Sequence, residues 1–133
     1  MPTSLADRHC DVCTPDTPTP SRDRAHELLG QIPGWEITDI KGKDQLTTTI
    51  RFKGFMPGVD LVNKIAALAE QEGHHPDLHL SYGSLEVDLT THAAGGLTDN
   101  DFILAAKIDQ IAPPGLRATS PSIGRAESHQ IRP

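Results

Sequence analysis

Leu78-His79-Leu80-Ser81-Tyr82-Gly83-Ser84-Leu85-Glu86-Val87-Asp88-Leu89 is the stretch on which the reading of this chain turns. Leu78, Leu80 and Tyr82 alternate with His79 and Ser81. Leu85, Val87 and Leu89 then alternate with Glu86, Asp88 and Thr90. A period of two on both sides of Gly83-Ser84 predicts a β-hairpin with one apolar and one polar face. The chain enters it through His74-His75-Pro76, an extended corner because the residue before a proline avoids the helical region. It leaves through His92 and a loop containing Gly95-Gly96.

Outward from the hairpin, residues 58–72 (GVDLVNKIAALAEQE) set Leu61, Val62, Ile65, Ala66, Leu68 and Ala69 along one wide stripe. That predicts a helix, ended by Gly73. Leu46–Phe52 alternates as a half-buried strand, and a turn at Lys41-Gly42-Lys43-Asp44 joins it to a strand at Trp35–Ile40. A short helix, Arg22–Leu29, begins at Ser21 and stops at Gly30. On the other side, Thr98 caps a last helix, Asp99–Ile111, with Asp101 at the third helical position. The order α-β-β-α-β-β-α predicts an α+β domain, a four-stranded antiparallel sheet with three helices packed on one face. The edges of such a sheet offer a route to pairing between copies.

At 133 residues the chain is one domain's worth, and 36% hydrophobic residues promise a modest core. Of its 11 prolines, four lie in residues 1–20 and four in 113–133. Both ends are too poor in large apolar groups to offset the entropy of ordering them. They read as a flexible N-terminal arm (1–20) and a flexible C-terminal tail (113–133) around a domain at 21–112. The net charge of −6 contains no basic block, which argues against nucleic acid as a partner. No apolar run nears the ~20 residues that span a bilayer, and MPTSLADRHC is no secretory leader, so no membrane association and a cytoplasmic location are expected. Cys10 and Cys13 form one C-x-x-C, half of a zinc site without its other half. They read as free or reducible thiols in a reducing compartment.

Chemistry concentrates in residues 74–92, which hold His74, His75, His79 and His92. Counting out and back from the turn brings position 92 near position 75, with Glu70 one helical turn before the corner. Imidazoles both take and give protons near neutral pH, so two of them flanking a bound molecule suit an elimination of water. No G-x-S-x-G, phosphate-binding glycine loop or H-E-x-x-H competes. His79 alternates onto the polar face toward solvent. A metal held jointly by His74 and His75 is disfavoured, because neighbours in extended chain point opposite ways. The pattern alone leaves structural histidines, a metal site and an acid/base pocket open.

Glu70-x-x-x-His74-His75-Pro76, Tyr82, Thr91-His92, Gly96-Leu97-Thr98 and Asp101 together resemble the pterin-4a-carbinolamine dehydratase family. The likeness extends through Pro33-Gly34-Trp35, Phe52-Lys53-Gly54-Phe55 and Ala105-Ala106-Lys107-Ile108, covering about residues 21–112. The resemblance implies a domain that pairs through its sheet as a homodimer or homotetramer. It implies dehydration of 4a-hydroxytetrahydropterin to quinonoid dihydropterin, with no metal and no cofactor. His74 and His92 would be the acid/base pair at the pterin N5 proton and the 4a-hydroxyl, and His75 would hold the substrate near the hydroxyl. Glu70 and Asp101 would support histidines or pterin ring nitrogens, and Thr90 and Thr91 would contact the pterin. Val59 and Leu61 stand where some members carry aromatics, and Leu78 where some carry tryptophan. EGHHPDLHL and GGLTDNDFILAAKID, with the C-x-x-C, are similar to dehydratase-like proteins of chloroplasts and carbon-fixing bacteria. Some of those are Rubisco assembly factors, including ones linked to the α-carboxysome. That likeness implies an alternative: a noncatalytic chaperone with Rubisco as its partner and a carboxysome-associated location.

Overall fold

Four strands and three helices follow in the expected order in a computed structural model that describes residues 5–10 and 16–112. They are α1 (Arg22–Leu29), β1 (Glu36–Ile40), β2 (Lys43–Arg51), α2 (Met56–Glu72), β3 (Asp77–Ser81), β4 (Ser84–Leu89) and α3 (Asp99–Ile111). The tail at 113–133 and Cys13 lie outside the described residues. No helix among those described is long and apolar enough to cross a membrane.

Local chemistry sets the boundaries. The Ser21 side chain accepts from the Arg24 N–H at 3.2 Å and opens α1. Pro57 sits in the first turn of α2, so that helix begins at Met56, two residues earlier than the apolar stripe suggests. Gly73 ends it with φ +67, a left-handed conformation that glycine reaches without strain. α3 opens with a capping box between Thr98 and Asp101.

Both hairpins are tighter than, or offset from, the sequence expectation. Lys41 and Gly42 take φ +54 and +81, so two residues complete the first turn and β2 starts at Lys43 rather than Leu46. In the second, the two-residue loop is Tyr82-Gly83, not Gly83-Ser84, because Ser81 pairs with Ser84 and the left-handed position falls on Gly83 (φ +83). Tyr82 therefore leaves the apolar face and stands 65% exposed. Leu80 pairs with Leu85 and Leu78 with Val87, which keeps the leucine row on the core side.

The antiparallel sheet runs β1-β2-β4-β3. Leu46 and Ile50 of β2 and Leu85, Val87 and Leu89 of β4 send one face into the core. There they meet Leu28 of α1, Leu61 and Ile65 of α2, and Phe102, Ile103, Leu104 and Ile108 of α3. The buried stripe on α2 is narrower than expected: Ala66 is exposed. The opposite sheet face is polar, with Thr47, Asp88 and Asp77 in one row and Thr49, Glu86 and His79 in the next.

The stretch expected as a loose arm contributes to the core. Leu5–Asp7 forms a 3-10 turn, and Leu5 is 3% exposed in the main cluster. Lys107 Nζ donates to the Ala6 carbonyl at 2.8 Å, and Arg8 pairs with Asp99 at 3.3 Å. A single buried leucine among polar residues leaves no periodicity to read, which is why composition misplaces this segment.

Candidate functional site

The corner after α2 and the first turn of α3 meet at Asp101. This carboxylate has no accessible surface and is held by three donors. His74 Nε2 lies 2.6 Å from Oδ1, while the Thr91 hydroxyl at 2.7 Å and the Thr98 N–H at 2.9 Å reach Oδ2. A carboxylate only accepts, so the His74 ring carries a proton on Nε2 and turns Nδ1 away from Asp101. Thr91 spends its one hydroxyl proton on Asp101 and so accepts from the Thr98 hydroxyl at 2.8 Å. Every member of the network is buried or nearly so; the His74 side chain retains 11% exposure. Such a fully satisfied network fixes ring orientation.

The two adjacent imidazoles diverge, as neighbours in extended chain must. His74 turns inward, whereas His75 turns out to Glu70, with Nε2 2.6 Å from Oε2 and both side chains more than half exposed. His92 is exposed and opens the short turn His92–Ala94, directly after Thr91. Asp101 thus links the corner bearing His74 to the strand end bearing His92. Thr91 and Gly96 bridge across that turn, with N–H to carbonyl distances of 2.9 and 3.3 Å. Thr90 goes elsewhere: its hydroxyl donates to the Asp44 carbonyl at 3.0 Å, toward the β1–β2 hairpin.

A cleft of about 550 Å³ lies between α1, the β1–β2 hairpin and the Gly95–Leu97 loop. Arg22, His26, Ile37 and Asp44 are among its walls; His74, His75 and His92 are not. Bonding geometry, and not this cleft, therefore locates the candidate chemistry.

Behind the site the N-terminal segment braces both contributing elements. Glu72, two residues before His74, is 3% exposed at its side chain; it accepts the Cys10 N–H at 2.8 Å and sits 3.0 Å from His9 Nδ1. Lys107 Nζ stands 3.8 Å away. Burial alone pushes the Glu72 carboxyl up, but the Cys10 amide, the His9 ring and the Lys107 ammonium together hold it below the usual range. The Cys10 thiol, 3.7 Å from the Asn100 carbonyl, is pushed up to about 12 by burial and by the Glu72 and Asp101 charges. The charge pattern of Glu72 and Lys107 is visible in the sequence; that they face one N-terminal segment is not.

On the outer sheet face Asp88 is 7% exposed and accepts from the Thr47 hydroxyl. Burial, then a hydrogen bond shared with Glu86, raise it to about 7; the Thr47 hydroxyl opposes the shift.

Comparison with known proteins converges on one family. The sequence pattern of the Pterin 4 alpha carbinolamine dehydratase family matches residues 18–111. A Saccharophagus degradans protein provisionally named pterin-4-alpha-carbinolamine dehydratase is 43% identical, over 82% of this chain and 96% of its own length. The Arabidopsis thaliana protein named pterin-4-alpha-carbinolamine dehydratase 2, mitochondrial, is 41% identical over 81% of this chain and 60% of its own. A solved structure named transcriptional coactivator/pterin dehydratase, from Brucella melitensis, is similar with a TM-score of 0.66 and 28% identity, covering 72% of this chain and 100% of that one.

Proposed function

The chain belongs to the pterin-4a-carbinolamine dehydratase family, and from that premise we propose that it removes water from 4a-hydroxytetrahydropterin to give quinonoid dihydropterin. The reaction takes a proton from N5, breaks the C4a–OH bond and forms the C4a–N5 double bond. The departing hydroxyl, once protonated, leaves as water, so one base and one acid complete the balance. The observation that carries the reading is the His74–Asp101 contact at 2.6 Å around a carboxylate with no exposed surface. It leaves His74 Nδ1 in one orientation as the proton-handling atom. His92, exposed beside Thr91, is the second acid/base group. His75, paired with Glu70, holds the substrate near the hydroxyl, while Thr91 serves the site by holding Asp101 rather than by touching the pterin with its hydroxyl. The catalytic unit is a homodimer or homotetramer, needing neither metal nor cofactor for this step.

The test is direct dehydration of the carbinolamine, followed against its spontaneous rate. His74→Ala and His92→Ala should each lower turnover by roughly 10²–10⁴-fold. A wild-type rate no higher than the spontaneous one would remove the proposal.

A second reading, a noncatalytic Rubisco assembly factor associated with the carboxysome, draws on one feature. Phe55, Met56 and Tyr82 are exposed at 44%, 62% and 65%, and the Gly83 N–H to Gly54 carbonyl bond at 3.1 Å joins their two loops at one end of the molecule. Exposed aromatics in one place suit a protein partner. This reading requires that soluble Rubisco yield rise on co-expression, equally with a His74→Ala/His92→Ala variant, and fall with Tyr82→Ser/Phe55→Ser.

A further inference from the structure

His79, Glu86 and Asp88 lie together on the polar sheet face, away from the helices and from His74. β3–β4 pairing sets His79 directly opposite Glu86, and Asp88 follows two residues along β4 on the same face. One ligand atom from each lies within 4.8 Å of the other two. His79 Nε2 stands 3.5 Å from Asp88 Oδ2, beyond the ordinary reach of an N–H···O hydrogen bond. Two ligands bound at 2.0–2.2 Å on a tetrahedral zinc ion are separated by roughly 3.4 Å, so the pair already has the spacing of a coordination edge. The other Asp88 oxygen, Oδ1, is occupied by the Thr47 hydroxyl, which orients Oδ2 toward His79. A hydrogen-bonded second oxygen is the usual support of a ligating carboxylate.

We propose that His79, Glu86 and Asp88 form a three-ligand site for a divalent transition-metal ion, zinc by preference, on the open face of the sheet. One imidazole and two carboxylates make a donor set suited to zinc. Two carboxylates neutralise its charge, and a water completes four-coordination because the face is open. A rigid antiparallel pair holds the ligands, so little backbone ordering accompanies binding. The ion would clasp the edge strand β3 to β4. The site is independent of the dehydratase reading and has no part in that chemistry.

The test uses the full chain with Cys10→Ser and Cys13→Ser, which removes thiolates as competing ligands. Zinc binding is measured by competition with a chromophoric chelator, and cobalt substitution reports geometry through its visible spectrum. The expected result is one ion per chain, a tetrahedral cobalt spectrum, and a loss of affinity of at least about tenfold in His79→Ala and in Glu86→Gln. His79 is 65% exposed at its side chain, so its removal leaves the fold intact. A His74→Ala/His75→Ala variant should bind like the parent. Zinc binding that survives His79→Ala and Glu86→Gln, or that is lost in His74→Ala/His75→Ala instead, overturns the assignment. So does a parent chain that takes up no zinc at micromolar concentration.

Discussion

Asp101 caps α3 and holds the His74 ring with the same carboxylate: Oδ2 takes the Thr98 N–H while Oδ1 lies 2.6 Å from His74 Nε2. Asparagine preserves the cap but offers His74 an N–H in place of an acceptor, or a carbonyl of lower basicity. Asp101→Asn should therefore fold, lower dehydratase turnover by roughly 10²–10⁴-fold and shift the pH profile. Circular dichroism with turnover against pH checks both halves. An unchanged profile would mean that Asp101 is a cap and nothing more.

Opposed carboxylates shape stability against pH. Asp88 is raised in the folded state, so its share of stability is full below the ordinary aspartate range and is lost as pH rises toward about 7. Glu72 is lowered, so its share is present above the ordinary glutamate range and is lost in acid. Asp88→Asn, which mimics the protonated state, should raise Tm by several degrees at pH 8 in the presence of a chelator and change it little at pH 4.5. Equal shifts at both pH values would contradict the assignment.

Gly73 takes φ +67 with nothing within 4 Å of an added Cβ, so substitution there tests backbone strain alone. Gly73→Ala should cost about 1–2 kcal/mol in urea unfolding, and Gly73→Asn distinctly less. Equal costs would show that the corner before His74 relaxes out of the left-handed region.

The N-terminal segment should behave as part of the core. Leu5→Ala is expected to cost about 2–4 kcal/mol. Cys10, with its thiol pushed up to about 12, should react with a thiol reagent at pH 8 on the order of 10³-fold more slowly than in denaturant. A Cys13→Ser background isolates its signal. Rapid labelling of the native chain would place Cys10 outside the Glu72 and Asn100 contacts.

The helices were legible where several local rules agree. Ser21 with Gly30, and Thr98 with Asp101, bracket α1 and open α3 where the sequence predicts. The turns were less so: Gly83-Ser84 and Tyr82-Gly83 both place a glycine in a two-residue loop, and only the leucine pairing across β3 and β4 decides between them. Hairpin counting predicts that the chain segments bearing His74, His75 and His92 meet; the rings themselves part, His74 turning in to Asp101, His75 out to Glu70, and His92 standing exposed. Which acid each ring meets is not readable, since Asp101 lies 27 residues from His74 and the ring's direction depends on packing. Glu70, close in sequence, lands on His75. Leu5 and Cys10 were illegible for a related reason: their partners sit on α3 and at the end of α2, and no periodic pattern announces a contact across so much chain.

The Lys107–Ala6 bond spans 101 positions. On a ribosome adding 5–20 residues per second, residues 5–10 wait roughly 5–20 s for their docking surface to be synthesised. During that interval Leu5 is bare and the core it completes does not exist. A segment made early thus closes its contacts only with one made late, once α3 is present to receive it.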